Sequence, residues 1–251
     1  MSRFNTLLRE DHLYIISDLH LGNPSFVQGK GFISFLRHLS EQNIALCING
    51  DGLDLLQMSF AKLMLDFPLI LKNIQNFMAN GKNKIYYVVG NHDIYLEAFL
   101  EDSGFFNVVP FLDVVSGNKR IHIEHGHLYD SFFLYHPGLY TQLTKFAGMW
   151  LKLAPGFFHF WDKITQHLAS IKKGNTNAFP VERAGIVSAA AEIMERGVDT
   201  VIFGHTHRPG IYDLKENRKY ANTGSWIGAA GYYIEIKMGE VSLKEWNGLG
   251  T

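Results

Sequence analysis

Five short blocks put carboxylates, imidazoles and a carboxamide at close spacing. They are Asp18-Leu19-His20, Gly50-Asp51-Gly52-Leu53-Asp54, Gly90-Asn91-His92-Asp93, His125-Gly126-His127 and Gly204-His205-Thr206-His207. Asp, His and Asn without Cys form a mixed oxygen and nitrogen donor set. Such a set suits Mn, Fe or Zn and is too rich in nitrogen for calcium. Two such cations about 3.5–4 Å apart, sharing a carboxylate, would clamp an in-line displacement at phosphorus. Each block is weak evidence alone: an Asp-x-His pair is usually incidental, and a His-x-His pair on a strand is more often a surface pair. All five in one order, each following a strand-like run, are far more specific.

The elements that must position these blocks are legible around them. Leu13–Ser17, Ile44–Ile48, Ile85–Val89, Arg120–Ile123 and Thr200–Phe203 are short apolar or β-rich runs followed by turn residues, which predicts buried strands. Between them, Gly31–Gln42 carries Phe32, Phe35, Leu36 and Leu39 at helical spacing. Phe60–Ala79 continues that period, with Pro68 as a start or a kink. Val181–Arg196 forms a third helical stretch with Gly197 as its stop. Tyr232–Ile236 and Val241–Trp246 flank Met238-Gly239-Glu240 as a hairpin. Strands and helices alternate, so the class is α/β. In open α/β sheets, ligands bind outside the carboxyl ends of the strands. The five blocks are therefore expected to converge, with their glycines permitting tight turns and close backbone approach.

Composition narrows the function classes. The chain has 251 residues, 47% of them hydrophobic, and 23 basic against 24 acidic groups. A core of that apolar content excludes a disordered chain. The charge balance argues against a generally basic nucleic-acid binder, and no nucleic-acid partner is expected. The single cysteine, Cys47, lies in a buried-strand pattern and reads as core. No apolar run reads as a signal peptide or reaches the ~18 residues of a membrane span. The expectation is a cytoplasmic protein, peripheral on the inner membrane face if it meets a membrane. It reads as one domain, 1–251, with an insertion over 129–178. Of the twelve histidines, His12, His38, His122 and His136 read as structural or solvated.

The ordered blocks resemble the calcineurin-like metallophosphoesterase superfamily, whose pattern runs D-x-H, G-D-x-x-D, G-N-H-[DE], H and G-H-x-H. All five are present, and the resemblance spans residues 13 to about 230. It implies a two-sheet β-sandwich flanked by helices, with two metals at the strand ends. Carried over by position, Asp18, His20, Asp51 and His207 would hold the first metal, with Asp51 bridging. Asn91, His125 and His205 would complete the second. His92 resembles the imidazole that stabilises the transferred phosphoryl group or protonates the leaving oxygen, and Asp54 the carboxylate that orients it. The implied nucleophile is a metal-bridging hydroxide attacking directly, with inversion at phosphorus. His127 shares the face of His125 if the strand continues that far, which would bring it to substrate or metal.

The insertion is unusual in composition. From Tyr129 to Trp161 there are eleven aromatic residues. Leu139, Leu143, Phe146, Trp150 and Leu153 repeat at helical spacing, and so do Phe157, Trp161, Ile164, Leu168 and Ile171 after Pro155-Gly156. Between Ser131 and Val181 lie five Lys (Lys145, Lys152, Lys163, Lys172 and Lys173) and one acid, Asp162. That leaves −5 on the rest of a chain whose total is −1. Two readings stand for this segment. A basic amphipathic helical pair forms a lid that meets an anionic membrane or caps acyl chains; alternatively, its aromatics pack onto the core.

The arrangement is similar to the UDP-diacylglucosamine hydrolases of lipid A synthesis, peripheral metallophosphoesterases with a helical lid between the fourth and fifth blocks. Asp18-Leu19-His20-Leu21-Gly22, His125-Gly126 and Gly204-His205-Thr206-His207-Arg208-Pro209 carry the likeness. It implies hydrolysis of a glycolipid nucleotide's pyrophosphate, giving lipid X and UMP, with two divalent ions, manganese first and Fe or Zn as alternatives. Arg208, Lys172, Lys173, Asn177 and His127 are the candidate substrate contacts. One departure is clear: well-known members carry Arg and Glu where this chain has His92 and Asp54. The rival within catalysis is a soluble phosphodiesterase for cyclic or other nucleotides. The rival outside it is a metal-binding scaffold, which has no need of Asp54 and His92.

Overall fold

Alternation along the strands explains the layers. In a computed structural model of the chain, Leu13, Ile15, Ala45, Cys47, Tyr86 and Val88 face one core, while Tyr14, Ile16, Leu46, Ile48, Tyr87 and Val89 face another. This two-residue period, apolar on both faces, marks strands covered on both sides. The structure describes residues 7–79, 83–99, 107–136, 138–139, 141–143, 145, 182–228 and 230–247.

Twelve described strands form two six-stranded sheets. In chain order they are β1 (Leu7–Arg9), β2 (His12–Ile16), β3 (Ala45–Asn49), β4 (Ile85–Val88), β5 (Asn107–Val109), β6 (Leu112–Ser116), β7 (Lys119–Ile123), β8 (Thr200–Phe203), β9 (Gly210–Asp213), β10 (Lys219–Asn222), β11 (Gly231–Lys237) and β12 (Glu240–Trp246). One sheet runs β12-β11-β2-β3-β4-β5, with β2 to β5 parallel. The other runs β1-β6-β7-β8-β10-β9, with β7, β8 and β10 parallel. Leu13 and Ile15 from the first sheet meet Val114, Ile121 and Ile202 from the second in one buried layer, the core of a sandwich. The two-sheet α/β expectation therefore stands.

Helices cover the outer faces. On the first sheet lie α1 (Gly29–Gln42), α2 (Phe60–Asp66) and α3 (Pro68–Ala79). Phe32, Phe35, Leu36 and Leu39 of α1 pack with Ile70, Ile74 and Phe77 of α3 on that face. The expected long helix over Phe60–Ala79 divides at Phe67, because proline at 68 can open a helix but not continue one. After α4 (Ser131–Tyr135) comes α5 (Ala184–Met194), which packs Ile186, Ala190, Ile193 and Met194 on Val201, Phe203 and Tyr220 of the second sheet. Five strands, β1, β5, β6, β9 and β10, were not expected. Except for β6, whose burial alternates, they lack a clear run of buried apolar residues. Most of the insertion lies outside the described residues.

Candidate metal centre

The five expected strands end at one place, and the turns leaving them are conformationally unusual. Asp18, His20, Asp51, His205 and His207 all have left-handed backbones, with φ between 49° and 63°. Non-glycine residues rarely occupy that region, and such outliers gather where the surrounding structure overrides local preference. Two glycines permit the close approach. A Cβ on Gly90 would stand 2.2 Å from Asp51 Oδ1, and one on Gly50 (φ 78°) would stand 2.3 Å from His125 Nδ1.

The donor atoms form two groups around one carboxylate. In the first, Asp18 Oδ1 lies 3.0 Å from His207 Nε2 and 3.7 Å from His20 Nε2. The two imidazole Nε2 atoms are 3.4 Å apart. In the second, Asn91 Oδ1 lies 3.2 Å from His125 Nε2 and 3.0 Å from His205 Nδ1. Asp51 Oδ2 is between them, 3.3 Å from His125 Nε2 and 3.9 Å from His20 Nε2. The seven residues expected as ligands are thus all brought together, and all but His205 and His207 are buried.

These donors fit a cation better than they fit one another. His125 Nδ1–H donates to the Asn49 carbonyl at 2.8 Å, so a neutral ring leaves Nε2 bare. His205 Nε2–H donates to Asp130 Oδ2 at 3.0 Å, which leaves Nδ1 bare. Two bare nitrogens, a carbonyl oxygen and a carboxylate oxygen then face one point, an arrangement that suits a bound cation. Asp18 shows the same economy. Its Oδ2 accepts from the Ser17 hydroxyl and from His205 N, while its buried Oδ1 has no hydrogen-bond donor. Metal-binding sites hold ligands by such outer contacts.

Without a cation, protons carry the positive charge. Burial alone would depress the His20 and His125 rings, but Asp18 and Asp54 push His20 up to about 10, and Asp51 pushes His125 up to about 9. Burial alone would raise the Asp18 and Asp51 carboxyls, yet His207 and His20 beside the one, and His125 and His92 beside the other, hold both well below the usual carboxylate range.

His92 and Asp54 form a separate pair at the rim of the cluster. His92 Nδ1 donates to Asp54 Oδ1 at 3.0 Å, and its Nε2 lies 4.0 Å from Asp51 Oδ2. Asp54 is itself fixed by Asn23 Nδ2 at 2.7 Å and Gln57 N at 3.2 Å. His92 Nε2 is near enough to His20 and Asp51 to share a cation with them. Its Nδ1 is committed to Asp54.

The other named residues divide. The expected continuation of β7 to His127 does not occur. The strand ends at Ile123, the chain turns at Gly126 (φ 94°), and His127 begins a 3-10 turn, His127–Tyr129. The turn still brings its ring 5.4 Å from that of His125. Burial, reinforced by His125, pushes the His127 ring down to about 3. Arg208 follows His207 and is half-buried. Lys172, Lys173 and Asn177 lie outside the described residues.

Several supporting residues escaped sequence reasoning. Asp93 closes the Gly50–Asp54 turn: its carboxylate accepts from Gly90 N at 2.7 Å, from Gly52 N at 2.9 Å and from the Tyr87 hydroxyl. Buried Glu182 accepts from Thr206 Oγ1 at 2.6 Å, the Tyr220 hydroxyl at 2.9 Å and Asn222 Nδ2 at 3.2 Å. Asn222 Nδ2 also donates to Gly204 O at 2.7 Å, and Thr223 bonds the Ser17 hydroxyl. Asn222-Thr223-Gly224 is a sixth strand-end block, with the same small-polar signature as the other five but without an acid or imidazole. Asp130 and Glu182 carried no such signal.

Comparison with known proteins agrees with this geometry. The model of a family described as calcineurin-like phosphoesterase matches residues 12–209. A UDP-2,3-diacylglucosamine hydrolase from Haemophilus influenzae is 24% identical over 236 residues, covering 91% of this chain and 95% of that protein. A protein of the same name from Pseudomonas aeruginosa is 26% identical over 244 residues, covering 88% and 93%. A dimetal phosphatase from Danio rerio superposes with a TM-score of 0.53 at 11% identity, covering 95% of this chain and 96% of that one, a likeness of fold.

Proposed function

This chain belongs to the calcineurin-like phosphoesterase family, and from that premise we propose that it is a two-metal hydrolase of a pyrophosphate-linked glycolipid nucleotide. It is a metal-dependent hydrolase of phosphoric esters or diphosphates. The observation that carries the two-metal reading is the position of Asp51 Oδ2, within 3.9 Å of donors from both groups. Asp18, His20, Asp51 and His207 would hold one divalent ion; Asp51, Asn91, His125 and His205 the other. Bound divalent ions supply Lewis acidity toward phosphoryl oxygens and lower the pKa of water, and manganese is the ion this reading favours.

The chain's own residues supply the rest. A water oxygen would add to phosphorus, its displaced proton passing to solvent, as the bond to the leaving oxygen breaks and that oxygen takes a proton from His92. His92 Nε2–H would give that proton, while Asp54, bonded to Nδ1, orients the ring and supports its charge. Arg208 and His127 adjoin the donor groups and would meet phosphate or the sugar.

The glycolipid nucleotide is favoured because the relatives named for UDP-2,3-diacylglucosamine hydrolysis align along nearly their whole lengths. At the start of the insertion, Leu134, Tyr135, Leu139 and Leu143 are each about half exposed or more. Exposed apolar side chains beside a basic segment support contact with acyl chains or a bilayer surface. Among the described residues, no helix is long and apolar enough to cross a membrane.

One observation favours a second reading, a nucleotide phosphodiesterase: the intact Asp54–His92 pair, where the glycolipid branch carries Glu and Arg. The deciding assay incubates the full chain and Mn with UDP-diacylglucosamine, and separately with an aryl phosphodiester and cyclic nucleotides. Release of UMP and the acylated sugar phosphate is expected. Turnover of nucleotides without the glycolipid would establish the second reading, and no metal-stimulated turnover of any substrate would refute both.

A further inference from the structure

The carboxylate of Asp130 is buried, yet the mechanism leaves it without a role. Its Oδ2 accepts from His205 Nε2 at 3.0 Å and from Arg183 Nη1 at 2.7 Å. An imidazole carries one proton when neutral. If Asp130 takes it at Nε2, Nδ1 is bare, and that atom faces Asn91 Oδ1 at 3.0 Å. His205 sits on a left-handed backbone (φ 63°) on the loop after β8. Its partner ligand His125 is fixed differently, by the carbonyl of Asn49.

The Arg183 backbone is held at the start of α5, while its side chain, half exposed, reaches Asp130. The Arg183 N–H donates to Glu182 Oε1 at 2.8 Å. The other oxygen of Glu182 accepts from Thr206, in the loop that carries His205 and His207. The dipeptide Glu182–Arg183 therefore grips that loop twice, once through Thr206 and once through Asp130. Asp130, near the start of the segment read as an insertion, and Arg183, just beyond it, are 53 residues apart in the chain.

We propose that Asp130, anchored by Arg183, is a positioning residue that sets the tautomer and direction of His205 and so selectively secures the second of the two metals. This inference rests on the two-metal reading. A carboxylate behind a ligating imidazole fixes the ring and raises its basicity; loss of such a partner typically costs roughly 10–100-fold in metal affinity. The first metal would be held by Asp18, His20, Asp51 and His207, whose tautomers the His205–Asp130 bond does not set, and its affinity should be unaffected.

The test titrates Mn into metal-stripped full-length protein by calorimetry, with metal content checked by mass spectrometry. Wild type should take two equivalents; fewer than two would sink the two-metal reading itself. Asp130→Ala should retain one equivalent at wild-type affinity and bind the other roughly 10–100-fold more weakly. Asp130→Asn keeps an acceptor without the charge and should fall between. Circular dichroism of each stripped variant reports folding, and the asparagine variant, close to isosteric, serves if the alanine variant is unfolded. Two wild-type affinities in a folded variant would overturn the proposal. Equal weakening of both metals would also overturn it, because the role would then be general support.

Discussion

Replacing Gly50 by alanine tests whether backbone geometry at a strand end positions the proposed metal ligand His125. Gly50 has φ 78°, and an added Cβ would lie 2.3 Å from Nδ1, 2.4 Å from Cγ and 2.7 Å from Cβ of His125. Contact at even a tight ~3.0 Å demands a shift of about 0.7 Å. The imidazole has nowhere free to go, since its Nδ1 bonds Asn49 O at 2.8 Å and the residue is fully buried. A left-handed alanine costs roughly 1–2 kcal/mol, and overpacking roughly 1–3 kcal/mol more. The variant should lose about 2–5 kcal/mol of stability in urea titrations. If it folds, His125 Nε2 is displaced by most of an ångström from Asn91 and Asp51. Misplacement on that scale costs on the order of 100-fold in turnover. The expected result is a lowered urea midpoint, one weakened Mn equivalent and turnover down about 100-fold. A Gly50→Ala protein with wild-type midpoint, metal content and turnover would refute the reasoning, because the clash and the ligand position are one geometric statement.

Three other outcomes are expected. His92→Ala should keep both metals by mass spectrometry yet lose roughly 100- to 10,000-fold in turnover, so unchanged turnover would remove His92 from proton transfer. Mn binding should tighten as pH rises toward 9–10, because in the metal-free protein the carboxylates hold protons on His20 and His125 and a cation must displace them. Calorimetry in buffers of different ionisation enthalpy should register that release, and pH-independent affinity would contradict it. His122, away from the site, pairs with Asp113 at 2.7 Å and Glu124 at 3.2 Å; burial opposes its charge, but these acids push it up to about 9. Its folded pKa is raised, so the contribution is full below about 6.5 and fades as pH rises through about 9. With Asp113 partly exposed and screening the pair, wild type should exceed His122→Gln by about 1–2 kcal/mol at pH 6 and converge with it near pH 10. An equal gap at both pH values would disprove the linkage.

The parts of the fold that were legible share a cause. β2, β3, β4 and β8 are covered on both faces or nearly so, and burial on both faces writes itself as a mostly apolar run; β7 shows it only at Ile121 and Ile123. β1, β5, β6, β9 and β10 lack that signal. Tyr220 and Ala221 of β10 are fully buried, but four residues, two of them polar, show no period. They form a strand because β8 and β9 offer backbone partners on either side. His127 illustrates the same limit: a one-residue turn at Gly126 cancels the strand alternation, and spatial packing then restores the proximity.

The sequence by itself determined the chemistry. The types and order of Asp18, His20, Asp51, Asn91, His125, His205 and His207 already specify an oxygen and nitrogen donor set at strand ends, since ligand identity is local to each side chain. Tertiary structure alone decided which atoms of Asp18, His125 and His205 are left for a cation. Ser17 and His205 N occupy one oxygen of Asp18, Asn49 takes Nδ1 of His125, and Asp130 takes Nε2 of His205. Those partners come from distant segments. Which lone pair remains depends on where the chain brings a second hydrogen-bonding group, and no spacing along the sequence records that.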